Sequence, residues 1–485
     1  MTSTPTLLLP SLPPKTLVGI DLITFTSTPA FHGIRDIPPG WHFLYTGTTE
    51  GMSLRCGGWF YIHGLDTDKD IDRGRIVVRG GGGDTQMQIL IWRWDNTTES
   101  LEPLRQEHKE EGMRVRANLG AVWKGGGLFG YRSRVPGGVL QQQQQQQAGA
   151  SGDEVDEEEE DGRKEWRTLT DRFSSKLLSR IIGAPRASDV DWEGRPRWVI
   201  TSGSTAREDD DDIPGLEVAP FSNSNVNVNS DAMEGCVSGS GTETGVGTGT
   251  AGEEEREFSF LPVDLKMTWR EGAIGRERTE AARDRSWALG EIIQRVSSHS
   301  APDSTNGAGA GEGEAQVLGE LQFTFLMGLT LMNYSCLQQW KRLLGLILTC
   351  RRAIVERASL MADILRLLLL QLQRCDDIEG GLFDQLGGEG GGEGGDFLRK
   401  LLRGFRTALY EEVEVDRSSP VKTEFERLEA WVKSEFDWEL NRDAVLRKGM
   451  LQLEDGEEVE MEVIDEDDDY APVIVDLDTM QEGPQ

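Results

Sequence analysis

The sequence predicts an α+β protein: an N-terminal β-rich domain followed by an α-helical domain, joined by acidic disordered linkers. Three observations predict it. Short runs rich in β-branched and aromatic residues, separated by Gly, Pro, Asp and Asn, fill residues 15–135. Apolar residues at helical spacing dominate 257–450. Between these parts lie tracts that cannot bury a core: seven glutamines at 141–147, and Ser, Gly, Thr, Asn and acid through 203–256.

The β-rich part opens with "TLVGIDLITFT" (16–26), then "WHFLYTG" (41–47), "GWFYIHG" (58–64), "RIVVR" (75–79) and "QMQILIWRW" (86–94). In the last run Met87, Ile89 and Ile91 alternate with Gln88 and Leu90, the period of a strand. "LEPLRQEHKEEGMRVRANLGAV" then reads as helical. Residues 136–162 form a Gln-rich, acidic, disordered linker. A short helical connector covers 163–200, where Trp166, Leu169, Phe173, Leu177 and Ile181 recur at helical spacing. Residues 203–256 form a disordered insert, and 298–314 is a further low-complexity gap.

Within 257–450, Leu321, Phe325, Leu329 and Met332 define the stripe of one helix, ended by Asn333 and Tyr334. Ser335 with Gln338 has capping-box spacing and predicts a second helix with a stripe of Leu337, Trp340, Leu344 and Ile347. "SLMADILRLLLLQLQRC" (359–375) is apolar on more than one side, which predicts a place at the centre of the array. "FLRKLLRGFRTALYEEV" (397–413) is a fourth helix. The fifth starts at Ser419-Pro420, Ser as N-cap and Pro in the first turn, and buries Phe425, Leu428, Val432 and Phe436. Short loops imply antiparallel neighbours in a bundle or a short superhelical stack. Residues 451–485 form an acidic tail with one strand-forming segment.

The net charge of −33 is unevenly spread. The runs at 153–161, 208–212, 253–255 and 454–469 hold 27 acids and no Lys or Arg, leaving 57 acids against 51 bases elsewhere. Such runs either solvate the chain or repel nucleic acid and court a basic partner surface. With no basic stripe, direct nucleic-acid binding is not expected. Five scattered cysteines without a CxxC suit a reducing compartment. No basic region precedes Leu7–Leu9, so no signal peptide is expected. No apolar stretch approaches the ~20 residues of a membrane span, so no membrane contact is expected.

The residues offer no catalytic constellation, cofactor loop or metal spacing. "GGGG" (80–83) lacks the Lys-Ser/Thr of a phosphate loop, and the five histidines fall in separate contexts. "DIPPGWHFLY" (36–45) poses the sharpest question. No Ser, Cys or acid beside His42 looks like a partner, so it reads as a core or rim histidine rather than a base. Pro38, Pro39 and Gly40 read as a tight corner before a strand. Trp41 and Trp59 are core residues or, alternatively, exposed aromatic anchors.

"GIDLITF" (19–25), "HGIRDIPPGWHFLY" (32–45) and "GGWF" (57–60) resemble the N-terminal domain of the a1-alpha-2 repression family of splicing factors. "ELQFTFLMGLTLMNYSCLQQWKRLLGLILTC" (320–350), "EGGLFD" (379–384) and "FLRKLLRGFR" (397–406) resemble its C-terminal helical domain. The resemblance implies a VHS-like superhelical domain and a non-enzymatic assembly factor of the U5 small nuclear ribonucleoprotein. It implies binding to the large central scaffold protein of the spliceosome at its RNase-H-like and Jab/MPN-like region, holding off the RNA helicase that follows. It also implies a location in cytoplasm and nucleus. A cytoplasmic adaptor of VHS-like type, and an enzyme with an unrecognised site in the β domain, are the alternatives.

Two candidate sites remain. In "DEDDDYAPVIVDLDTM" (465–480), Tyr470, Val473, Ile474, Val475 and Leu477 form an apolar run between acids. Three consecutive β-branched residues favour a strand, which could add to a partner's sheet; the rival is that the tail folds back on its own β domain or has no role. Ser418 and Ser419 sit at a helix start, where a phosphate would meet the positive helix end, Arg417 and Lys422; the rival is a plain N-cap.

Overall fold

The computed structural model describes residues 4–47, 54–64, 88–132, 152–206, 257–298, 308–375, 396–413, 419–440, 447–452 and 458–463, and the statements below concern these. Side chains at 152–159, 308–310, in the last two segments and at a few segment ends are outside the description.

Ten strands form two five-stranded sheets. They are β1 Thr6–Leu8, β2 Leu17–Ile20, β3 Ile23–Thr26, β4 Gly33–Arg35, β5 Gly40–Gly47, β6 Arg55–Ile62, β7 Ile89–Asp95, β8 Ser100–Pro103, β9 Leu128–Gly130 and β10 Trp198–Thr201. One sheet runs β8-β7-β1-β4-β9 and mixes parallel and antiparallel pairs. The other runs β10-β6-β5-β2-β3 and is antiparallel throughout. The run at 16–26 is thus a hairpin, broken at Asp21, whose φ is +56°. "RIVVR" lies outside the described residues.

The sheets stack face to face. Leu7, Ile34, Leu90 and Trp92 from the first meet Val18, Leu44, Phe60 and Ile62 from the second. Helix α1 (Lys109–Lys124) covers the outer face of the first sheet, with Val115, Leu119 and Val122 against Leu8, Ile89 and Ile91. The other face of the second sheet carries Phe43, Tyr45, Trp59, Trp198 and Ile200, and these belong to one continuous core with the helices. β5 and β6, in the middle of the second sheet, are therefore buried on both faces, which explains why they read as near-continuous apolar runs. The "GGWF" pair fits here: a Cβ on Gly58 would lie 2.5 Å from Trp92 Cη2, and one on Gly57 2.6 Å from the Leu44 carbonyl oxygen.

Helices α2 (Gly152–Leu169) and α3 (Ser175–Ile181) lead into the array of α4 (Arg276–Arg283), α5 (Ser286–Ser298), α6 (Ala308–Leu331), α7 (Tyr334–Ile347), α8 (Ala353–Glu356), α9 (Ala358–Leu372), α10 (Asp396–Glu412) and α11 (Pro420–Phe436). Strands β11 (Arg447–Gln452) and β12 (Glu458–Val463) form a separate antiparallel hairpin.

Several expected boundaries shift. β1 lies upstream of residue 15 and inserts between β4 and β7. α2 begins at Gly152 and takes in the whole acidic run expected to be disordered; its C-terminal turns carry Trp166 and Leu169 into the core, which holds the helix. The 163–200 connector ends in β10, whose register pairs Trp198 with Trp59. The tail begins with a hairpin that straddles residue 450. α6 has no single stripe: residues 317–328 are buried without a break, because α5, α7, α9 and the second sheet surround it. α9 is central as expected, with Ile364, Leu365 and Leu368 fully enclosed. α7 starts one residue before Ser335, because Asn333 takes the N-cap and accepts from Cys336 N at 2.9 Å. Most of the 203–256 insert lies outside the described residues. Its rims are fixed, since Ala206 and Phe258 form a parallel bridge.

Candidate docking surfaces and the seam that holds them

The corner before β5 is set by backbone. Gly40 takes φ +138°, and a Cβ there would meet nothing, so conformation and not crowding requires glycine. Behind the corner His42 is only 1% exposed. Its Nε2 lies 2.8 Å from the Pro38 carbonyl oxygen and its Nδ1 lies 2.8 Å from Asp21 Oδ2. Asp21 also accepts from the Tyr131 hydroxyl at 2.6 Å and from Phe43 N at 2.9 Å. His42 therefore does have an acid partner, contrary to the sequence reading. Register supplies it: β2 pairs with β5, and the turn after β2 swings Asp21 under the corner. All three side chains are enclosed and saturated, so the cluster ties the corner to the sandwich.

Trp41 and Trp59 resolve toward the core. Trp59 is fully buried, 4.9 Å from Phe43 and 4.4 Å from Phe173 between ring centroids. Trp41 is half-buried against Tyr61 and Trp198, and its carbonyl accepts from Trp166 Nε1 at 2.7 Å. This bond joins the corner to α2.

Two polar hubs extend the seam between the sandwich and the helices. Asn333 caps α7 with its oxygen, while its Nδ2 faces the carbonyls of Thr201, the last residue of β10, and of Ser202 and Ser204 just after it, the shortest at 2.8 Å. Glu320, with no exposed surface, accepts from Arg180 Nη1 at 2.7 Å, Gln339 Nε2 at 2.8 Å and Leu261 N at 2.9 Å. Neither hub was legible in the sequence, because a polar residue inside an apolar run reads as an imperfection of the stripe. The signal available was the persistence of Glu and Gln at 316, 320, 322 and 339 within otherwise apolar helices.

Outside this seam two surfaces stand out among the described residues. At the rim of the sandwich Phe25, Phe31 and Phe129 cluster at 5.1–6.4 Å between the edges of both sheets. Beside them Arg35 lies 5.0 Å over the exposed Trp123 ring. On the helical side, the flank of α10 meets α11: Tyr410 lies between Arg406 at 4.9 Å and Lys422 at 5.6 Å, and Arg406 Nε donates to Glu429 at 2.9 Å. Ser419 is at the N-cap of α11 with Pro420 next, but its side chain makes no capping bond. Ser418 and the tail residues Tyr470, Val473, Ile474, Val475 and Leu477 lie outside the described residues.

The described cysteines are buried; burial pushes the Cys56 thiol up to about 12 and raises Cys350 as well, which suppresses the nucleophilic thiolate. Among the described residues no group of His, Cys, Asp and Glu could hold a metal ion, and no helix is long and apolar enough to cross a membrane.

Comparison with known proteins agrees with this two-part body. The chain is similar to the protein AAR2 homolog of Homo sapiens, 22% identical over 374 residues, covering 76% of this chain and 75% of the relative. It is similar at the same identity and coverage to the homolog of Mus musculus. It is also similar to that of Oryctolagus cuniculus, 32% identical over 118 residues, or 24% of this chain and 30% of the relative. Residues 3–183 match the AAR2 N-terminal domain, which therefore runs from β1 through α3. Residues 260–441 match the AAR2 C-terminal repeat region, the helical array packed against it, and the chain thus belongs to the AAR2 family.

Proposed function

We propose that this protein is a non-enzymatic assembly factor of the U5 small nuclear ribonucleoprotein in pre-mRNA splicing. It binds the large central scaffold protein at its RNase-H-like and Jab/MPN-like region and keeps the later helicase away. Family membership over both structured parts carries the reading, and it supports the splicing-related role directly. The geometry is compatible with it. A continuous core with enclosed polar hubs, suppressed thiols and two exposed aromatic or charged surfaces suits docking better than turnover. The tail strand Tyr470–Leu477 adds to a sheet of the scaffold, its acidic flanks steering it to a basic surface. The protein works in cytoplasm and nucleus, and phosphorylation at Ser418 or Ser419 tunes the encounter.

Affinity purification with mass spectrometry tests the role: the scaffold protein should co-purify from precursor particles, and coat-type membrane partners in its place would overturn it. Truncation after Asp465 tests the strand. Binding to the purified scaffold fragment at low salt should weaken at least tenfold with both domains folded, and unchanged affinity would remove the tail from the interface.

A further inference from the structure

The flank of α10 that meets α11 carries Arg399, Arg403, Arg406 and Tyr410, spaced four, three and four residues apart. It borders the buried stripe of Leu398, Leu402, Phe405 and Leu409. The two helices run antiparallel, as two contacts show: Tyr410 meets Lys422 and Arg406 meets Glu429. Toward the N-terminus of α10 the ion pairing stops, opposite the last turns of α11, which ends at Phe436. Arg399 and Arg403 make no ion pair among the described residues, and the Nε atom of each is buried without a hydrogen-bond partner. Lys433 adds a further positive charge in the adjoining groove of about 340 Å³, which Arg406, Trp438 and Leu440 also line. Glu426, Glu429 and Glu439 line that groove too; Glu429 is committed to Arg406, and Glu439 has its own partner. A half-buried guanidinium pair without acids is costly unless an anion covers it.

Leu440, which lines this groove, is the last residue described before Arg447 and the chain's acidic end. Arg447 lies seven positions further on, at most about 25 Å of extended chain. The hairpin then returns the chain, pairing Arg447 with Val463. Asp465 follows two residues later and opens five consecutive acids: Asp465, Glu466, Asp467, Asp468 and Asp469. The hairpin thus keeps the start of this run within roughly 40 Å of Leu440, whereas Arg399 and Arg406 are only about 10 Å apart along their helix. A tether this short gives an effective concentration near millimolar.

We infer that the flank of α10 is the intramolecular docking site for the acidic run Asp465–Asp469, with Arg399 and Arg403 as its principal anchors. Docking holds the start of the tail against the helical domain and leaves residues 470–477 projecting from a defined place. The contact is between exposed or half-exposed charges, so salt weakens it. The inference does not depend on the identity of the partner.

Energy transfer in the full-length chain tests it. Dyes are placed at Thr407→Cys and Pro484→Cys in a Cys236→Ser background, the other cysteines being buried. Transfer efficiency should be high at 50 mM salt and fall at least twofold at 500 mM. Arg399→Glu with Arg403→Glu should produce the same fall at 50 mM, and adding Asp467→Arg with Asp468→Arg should restore it. Arg399→Gln with Arg403→Gln provides a milder variant should charge reversal impair folding, and it should give an intermediate loss. Efficiency that is unchanged by these substitutions, or that the charge swap does not restore, would overturn the docking site whether or not the scaffold protein binds.

Discussion

Asp21 serves three donors from one turn: the Tyr131 hydroxyl, Phe43 N and His42. Removing a carboxylate that several buried groups share leaves each of them unpaired, which costs more than any single bond contributes. Asp21→Asn keeps the acceptor for Phe43 N but aims an amide at the imidazole and the phenol. It should lower unfolding stability by about 3 kcal/mol in urea titrations, and Tyr131→Phe by about 1 kcal/mol. Equal losses would mean that the carboxylate is no hub. The corner itself was legible, because proline and glycine declare their backbone. The hub was not, because a partner 21 residues away is created by strand register, and register is not written in either segment alone. Cys56 gives a second test at this scale. Its thiol is raised by burial first and by Glu102 second. The folded state therefore holds its proton to higher pH than the unfolded chain does. The stability from this group is complete below about pH 9 and is lost as pH rises toward 12. In a Cys236→Ser background, thiol reagents at pH 8 should label the native chain at least a hundredfold more slowly than the urea-unfolded one.

Elements divide into those held by their own sequence and those held by neighbours. α3 is capped by Ser174, whose hydroxyl oxygen accepts from Leu177 N, whereas Ser419 occupies the same position of α11 without that bond. Ser174→Ala should therefore cost about 1 kcal/mol and Ser419→Ala a few tenths at most, measured by chemical unfolding. The free Ser419 hydroxyl is what a modification would use. Ser419→Asp should change partner affinity, and an unaltered titration would leave Ser419 as a simple helix start. The insert at 203–256 shows how composition misleads at its edges. Ser204 and Ala206 are buried and bonded, through Asn333 and through the bridge to Phe258, although their sequence is as polar as the rest. Removal should therefore spare them. Replacing residues 210–254 by a ten-residue Gly/Ser link shortens a loop whose two ends already touch. Loop closure then predicts a melting temperature equal to or slightly above that of the full chain, since each halving of length is worth about 0.6 kcal/mol. A marked fall would give the insert a folding role.

The whole molecule is two family domains sharing one core, and this is the feature least visible in the sequence. Linkers of such length and polarity suggest independent units, yet Phe43, Tyr45 and Trp59 pack in the same cluster as Phe323 and Leu326. The cause lies in the middle of the second sheet, where β5 and β6 are apolar on both faces and cannot be solvated on either. The helical array must cover it, and α2, α3 and β10 are the pieces that stitch the cover in place.

Glu320 sits where that cover is locked, on α6, facing Arg180 of α3, the Leu261 backbone and Gln339 of α7. Arg180 retains 23% exposure of its side chain and can find water if its partner is lost; Leu261 N–H and the Gln339 amide are buried and cannot. Glu320→Ala should therefore cost about 3–5 kcal/mol, the range for breaking a buried ion pair by deleting one side. Glu320→Gln should cost less, because its carbonyl still accepts one bond. If the two parts are one cooperative unit, the Glu320→Ala chain should still unfold in a single transition. Tryptophan fluorescence and helical ellipticity should then shift to lower denaturant together and by the same amount. Two separated transitions, or a fall in helical stability that leaves the tryptophan signal in place, would show that the sandwich stands without its cover.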